Sequence, residues 1–193
     1  MTALLKATRV PEEEYLTSLL YDDWRYEYVD GRVVAMAEPS DRHEILAGNI
    51  FGAVQQHLRK HPCRVFKGSK RARVSFLNRA FYYYPDVMVI CDHEQRDDRF
   101  KENPSFLVEV LSPTTENTDI REKMFAYLNT TSVLHYVIVA QDKMEVTVYR
   151  RIPEPGDWQV EVLTSATDVL RVPDLQFQMS LADLYEKWTP DGS

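Results

Sequence analysis

Cysteine and glycine are both scarce, at two and six residues of 193. Two cysteines, Cys63 and Cys91, exclude a scaffold built on disulfides. Placed on separate predicted strands, they read as two buried reduced thiols and point to a cytoplasmic location. So little glycine, with no repeating triplet, excludes a fibrous chain. No window approaches the roughly 20 continuous apolar residues that a membrane helix requires. The opening run from Met1 to Lys6 meets Arg9 and then Glu12-Glu13-Glu14 before an apolar signal-peptide core can form. Internal repeats, low-complexity tracts and linkers are missing as well, so residues 1–193 read as a single domain.

What is present is an ordinary globular mixture. Hydrophobic residues make up 44% and aromatics 11%, enough to close a core and to exclude disorder as the dominant state. Lysine and arginine number 23 against 30 acids, a net charge of -7, which argues against a surface wholly committed to nucleic acid. The charge is uneven, however. Between His57 and Arg73 stand Arg59, Lys60, Arg64, Lys67, Lys70, Arg71 and Arg73 with no acid among them. This stretch is either one basic face of a solvated strand pair or a polyanion contact, with Arg64, Lys67, Lys70, Arg71 and Arg73 as its candidate residues.

Periodicity orders the elements. A helical segment occupies residues 1–23, with Pro11 at a helix start. Asp30-Gly31 between two β-rich runs predicts a hairpin over residues 25–36. A helix opens at Ser40-Asp41 and runs to about Lys60, where Pro62 stops it. Strands follow at 63–66, 72–77, 81–91 and 105–112, then a helix at 114–129, a strand at 134–139, a hairpin at 143–164 and a last helix from Ser180 to Trp188. The fold class is α/β (α+β), a mixed β-sheet flanked by helices.

Two carboxylates stand where carboxylates are costly. Asp86 interrupts Tyr82-Tyr83-Tyr84-Pro85 and Val87-Met88-Val89-Ile90, and Glu109 interrupts the apolar run from Phe106 to Leu111. Facing one point, they form a hard-oxygen site for Mg2+ or Mn2+; alternatively each is buried in a salt bridge, for instance to Arg121 or Lys123. Lys123 follows Asp119 and precedes Tyr127 on one face of the predicted helix, so its ammonium can reach the two acids or simply pair with Asp119. Glu27 is a further candidate ligand or an exposed strand acid. His43, in the first turn of the long helix, is a phosphate contact or a capping histidine. His57, His61 and Cys63 lack a fourth zinc ligand. Tyr82-Tyr83-Tyr84 reads first as an aromatic strand.

Several motifs occur in order: Tyr26-Glu27-Tyr28-Val29-Asp30-Gly31, Pro39-Ser40 with His43, Pro85-Asp86, Glu109-Val110-Leu111-Ser112-Pro113, and Lys123 with Tyr127. Together they resemble the Uma-type restriction endonucleases, a bacterial family of the PD-(D/E)XK nuclease superfamily. The resemblance spans about residues 11 to 150, leaving 151–193 as an added hairpin strand and helix. It implies a restriction-endonuclease-like core and a divalent-metal-dependent endonuclease acting on DNA; cutting both strands needs two sites related by symmetry, so a homodimer is expected. By the same resemblance Asp86 and Glu109 ligate the metal with the main-chain carbonyl of Val110, and Lys123 completes the catalytic set. Glu-X-Lys would place lysine at 111, where this chain has Leu111. Either the lysine has migrated to Lys123, or the chain is a catalytically inactive nuclease fold serving as a binding module.

Overall fold

The computed structural model describes residues 9–18, 24–77, 79–92, 97–111, 119–153 and 157–189. Helix α1 (Glu12–Ser18) precedes the hairpin β1 (Tyr26–Val29) and β2 (Arg32–Ala35). Helix α2 (Asp41–His57) ends in a 3-10 turn at Leu58–Lys60 and leads into β3 (Arg64–Lys67), β4 (Arg71–Phe76), β5 (Arg79–Tyr83) and β6 (Val87–Ile90). Then come β7 (Phe100–Lys101), β8 (Phe106–Leu111), α3 (Asp119–Leu128), β9 (His135–Ala140), β10 (Val146–Arg151) and β11 (Trp158–Leu163). The chain closes with β12 (Val169–Val172), β13 (Phe177–Ser180) and the short α4 (Leu181–Leu184).

The strands form a six-stranded sheet in the order β11-β10-β9-β8-β6-β3, a five-stranded sheet in the order β2-β1-β5-β4-β7, and the small pair β12-β13. In the larger sheet β8 and β9 are parallel and their neighbours antiparallel. A parallel pair needs a crossover, and the segment carrying α3 supplies it. Leu46, Ile50 and Val54 of α2 pack on one face of this sheet against Val87, Val89, Val108 and Val137. Met88, Leu107 and Tyr136 on the other face meet Tyr127 of α3 and Tyr83 of the five-stranded sheet. Strand β8 is therefore covered on both sides, as its near-continuous apolar run requires.

The local chemistry explains the elements that position the site. Ser40 caps α2, accepting a hydrogen bond from the backbone N–H of His43, and this fixes where the first turn begins. Asp30 (φ 48°) and Gly31 (φ 90°) make the turn of the β1–β2 hairpin, a backbone in which only glycine and a few short polar residues sit without strain.

Four expectations are corrected. The apolar run at 81–91 is two strands, because the chain leaves one sheet at Tyr83 and enters the other at Val87. Pro85, which has no N–H for a ladder, marks the crossing. The last helix covers only Leu181–Leu184. Lys187 has a left-handed backbone (φ 61°) and the Trp188 indole donates to the Gln141 carbonyl, so tertiary contacts end the helix. The β12–β13 hairpin stands where the sequence suggests no strand pair, because Pro173 between its strands disguises the alternation.

Cys63 and Cys91, expected as two reduced thiols, are joined by a disulfide. The antiparallel register pairs Arg64 with Ile90, so the next pair outward is Cys63 opposite Cys91. With both sulfurs bonded, the chain has no pair of reduced thiols to point to a cytoplasmic location. Among the described residues no helix is long and apolar enough to cross a membrane. Expected helical residues at 1–8, 19–23 and 114–118 lie outside the described residues.

Candidate active site

The register of β6 and β8 builds the site. Val87 pairs with Val108, so one residue further along Asp86 stands opposite Glu109. Two acids far apart in sequence thus meet at one end of an antiparallel pair. The carboxylate of Asp86 is held from two sides. Its Oδ2 accepts the N–H of Val110 at 2.7 Å, and its Oδ1 lies 2.8 Å from Nε2 of His43. His43 comes from the first turn of α2, and the Ser40 cap that starts the helix sets its reach.

Glu109 points toward α3. The Tyr127 hydroxyl donates to its Oε1 at 3.0 Å, and the Lys123 ammonium lies 3.7 Å from its Oε2. Lys123 and Tyr127 are four residues apart on α3, so both reach the same side. The ammonium is closer still to Glu27 of β1, at 2.7 Å from Oε1, and sits 5.6 Å from the centre of the Tyr83 ring. Glu27 in turn accepts the N–H of Tyr84. All three charged side chains are buried: Glu27 is 3%, Glu109 6% and Lys123 8% exposed.

Burial pushes the Glu109 carboxyl up to about 8. Lys123 opposes that rise, the charges of Asp86 and Glu27 add to it, and the Tyr127 hydrogen bond opposes it again. Loss of water around the carboxyl is the main cause, and three carboxylates sharing one ammonium leave negative charge in excess besides. Burial also raises the Tyr127 hydroxyl far above its ordinary range, which keeps it a donor to Glu109.

The expected residues therefore divide. Asp86, Glu109, Lys123, Glu27 and His43 form one connected cluster, with Leu111 ending β8 beside it. Tyr127, which the sequence marks by its helix position and by its pairing with Lys123 in the ordered motifs, joins that cluster through its hydroxyl; its i, i+4 spacing from Lys123 is the sequence signal for this. The basic segment does not form one face. Arg64 is exposed on β3, Lys67 pairs with Glu44, and Lys70 donates to the Asp98 carbonyl. Arg71 is buried, donating to the Tyr84 hydroxyl with its guanidinium 4.9 Å from the Tyr15 ring centre. Arg73 is tied to Glu12, Glu102 and Tyr82. The reason is strand alternation: in β4 residues 71 and 73 turn to the side that packs α1 with Tyr15.

Comparison with known proteins agrees with this fold. The model of the Uma2 family, described as "Putative restriction endonuclease", matches residues 12–182. The Synechocystis protein slr1290, described as uncharacterized, is 27% identical over 178 residues, covering 92% of both chains. A second uncharacterized Synechocystis protein, sll1609, is 26% identical over 149 residues, covering 76% of this chain and 81% of its own. The crystal structure of a "putative nuclease belonging to DUF820" from Anabaena variabilis superposes with a TM-score of 0.74 at 20% identity, over 92% of this chain and 98% of that one.

Proposed function

The chain belongs to the Uma2 restriction-endonuclease family, and from that premise we propose that it is a divalent-metal-dependent endonuclease hydrolysing DNA phosphodiester bonds. The observation that carries the reading is the meeting of Asp86 and Glu109 across β6 and β8, with the Lys123 ammonium 3.7 Å from Glu109. The donor set suits Mg2+ or Mn2+: two carboxylates and the main-chain carbonyl of Val110 are hard oxygens, and the excess of buried negative charge calls for a cation. When bound, that cation would offset charge on the phosphate and lower the pKa of a water molecule.

The chain's own residues supply the rest. His43 and the Val110 N–H fix the orientation of Asp86, so its carboxylate needs no reordering. Tyr127 and Lys123 hold Glu109 and favour its ionised form. Glu27 anchors Lys123, leaving a fixed ammonium to meet charge developing on the scissile phosphate. On this reading the lysine missing at 111 is replaced from α3. Of the basic segment, exposed Arg64 on the edge strand β3, with Lys67 and Lys70 if they exchange their present partners Glu44 and the Asp98 carbonyl, is our candidate contact to the DNA backbone. Cutting both strands calls for a homodimer with two such sites related by symmetry.

One observation favours an inactive nuclease fold that only binds. Lys123 is closer to Glu27 than to Glu109, an arrangement that also suits a purely structural ion pair. Plasmid cleavage with Mg2+ or Mn2+ separates the readings. Nicking by the wild type that Asp86→Ala and Lys123→Ala both abolish is expected; no cleavage in either metal, with salt-sensitive DNA binding retained, would leave the binding module.

A further inference from the structure

A cleft of about 360 Å3 opens between the β1–β2 turn, the start of β5 and the outer side of α3. Three arginines from three distant parts of the sequence line it: Arg9, Arg32 and Arg79. Their side chains are 75%, 56% and 58% exposed, so each guanidinium can reach an incoming ligand. The two acids in the cleft do not match them in number. Asp30 takes both Arg9 at 3.1 Å and Arg79 at 3.2 Å, and Glu122 takes Arg32 at 2.5 Å. The turn pre-positions Arg9, whose stem lies against Gly31 at a distance that leaves little room for a Cβ there. Beside the guanidinium groups stands Phe125 of α3, 56% exposed and set edge-on to Phe76.

We propose that this cleft binds one nucleotide unit of a single-stranded stretch of nucleic acid. Its phosphate lies on the arginines and its base on the Phe125 ring. Guanidinium groups pair with phosphate oxygens in a planar fork. An exposed aromatic ring beside them supplies the stacking surface on which any base can rest. The cleft and the reaction centre share two elements: α3 carries Glu122 toward the cleft and Lys123 toward Glu109, while the β1–β2 hairpin carries Arg32 to one and Glu27 to the other. The proposal rests on the nuclease reading for its ligand class. It also answers a charge question, because Arg71 is buried and Arg73 is tied to Glu12 and Glu102, while an acidic protein still needs a local cationic surface for phosphate.

The test is binding of a fluorescein-labelled oligodeoxynucleotide to the full chain in EDTA, read by anisotropy across a salt series. Arg32→Ala/Arg79→Ala is expected to weaken binding at least about tenfold and to flatten the salt dependence by about 0.7 for each phosphate no longer neutralised. Phe125→Ala is expected to weaken binding about tenfold with the salt slope unchanged, and Phe125→Trp to restore it. Oligonucleotide binding identical across the wild type and these variants overturns the proposal. So does a nucleoside monophosphate that binds with the same arginine dependence while the oligonucleotide ignores the cleft. The two readings fail separately. Asp86-dependent cleavage with cleft variants that bind normally removes the cleft alone, whereas cleft-dependent binding without any cleavage removes the nuclease alone.

Discussion

Nε2 of His43 lies 2.8 Å from Oδ1 of Asp86, joining the capped start of α2 to the crossing point between the two sheets. The other oxygen of Asp86 is taken by a backbone N–H, so the carboxylate is oriented before any ligand arrives. Outer partners of this kind commonly set metal affinity by about ten- to a hundredfold. His43→Ala should therefore raise the Mg2+ concentration for half-maximal cleavage by about that factor, with a smaller decline at saturating metal. A metal titration of nicking rate measures both; an unchanged midpoint would reduce His43 to a structural role at the helix start.

Glu109 gives the folded chain an unusual pH dependence. Its carboxyl is raised from the ordinary 4.5 to about 8, so the folded state holds a proton that the unfolded state releases. Stability from this group is present at low pH and falls as pH climbs between about 4.5 and about 8. In EDTA the melting temperature of the wild type should drop across that range, and Glu109→Gln should remove the drop. Added Mg2+ should raise the melting temperature more at pH 8 than at pH 6, because it offsets the ionised form. A thermal-shift series over pH, with and without metal, checks each sign.

Tyr127→Phe deletes the hydroxyl that donates to Glu109 Oε1. That hydrogen bond favours the ionised carboxylate, so its removal raises the Glu109 pKa further. The acidic limb of the cleavage-against-pH profile should move to higher pH. Stability should fall by about 1–3 kcal/mol at pH 8, where a buried charged acceptor is deprived of a donor. An acidic limb that stays in place would separate Tyr127 from Glu109 ionisation.

The Cys63–Cys91 disulfide closes a loop with a sequence separation of 28. Loop-closure entropy for that length corresponds to about 3–4 kcal/mol of stability. Reduction, or Cys63→Ser/Cys91→Ser, should lower the denaturation midpoint accordingly. Thiol labelling of the urea-denatured chain should find no reactive sulfhydryl without reductant and both cysteines after reduction.

Arg71 and Arg64 belong to one basic stretch but should behave oppositely. Arg71→Ala removes a buried guanidinium from the Tyr84 hydroxyl and the Tyr15 ring, at a cost of about 2–3 kcal/mol and little change in the salt slope of DNA binding. Arg64→Ala, at an exposed edge, should leave the melting temperature alone and reduce that slope. Urea denaturation and DNA titrations on both variants decide it.

Much of this is legible in the residues. The Asp30-Gly31 hairpin, the Ser40 cap, the doubly apolar β8 run and the proline before Asp86 each carry a local signal, since turn geometry, capping and burial act on neighbouring residues. Asp86 and Glu109 stand out because a carboxylate in an apolar strand is costly wherever the strand lies. Periodicity overextends the last helix, because the Trp188 bond to Gln141 and the left-handed Lys187 that end it leave no trace in apolar spacing.

The sequence by itself determined the class of most elements, though not of the β12–β13 pair, together with the two costly acids and the spacing of Lys123 and Tyr127, all consequences of short-range chemistry. Only the tertiary structure decided which residues meet. It paired Asp86 with Glu109 through the β6–β8 register, tied Lys123 to Glu27 and bonded Cys63 to Cys91. It also buried Arg71, tied Arg73 to Glu12 and Glu102, and gathered Arg9, Arg32 and Arg79 around one cleft. Strand register and the packing of a helix on a sheet are long-range choices, settled by the whole core closing at once.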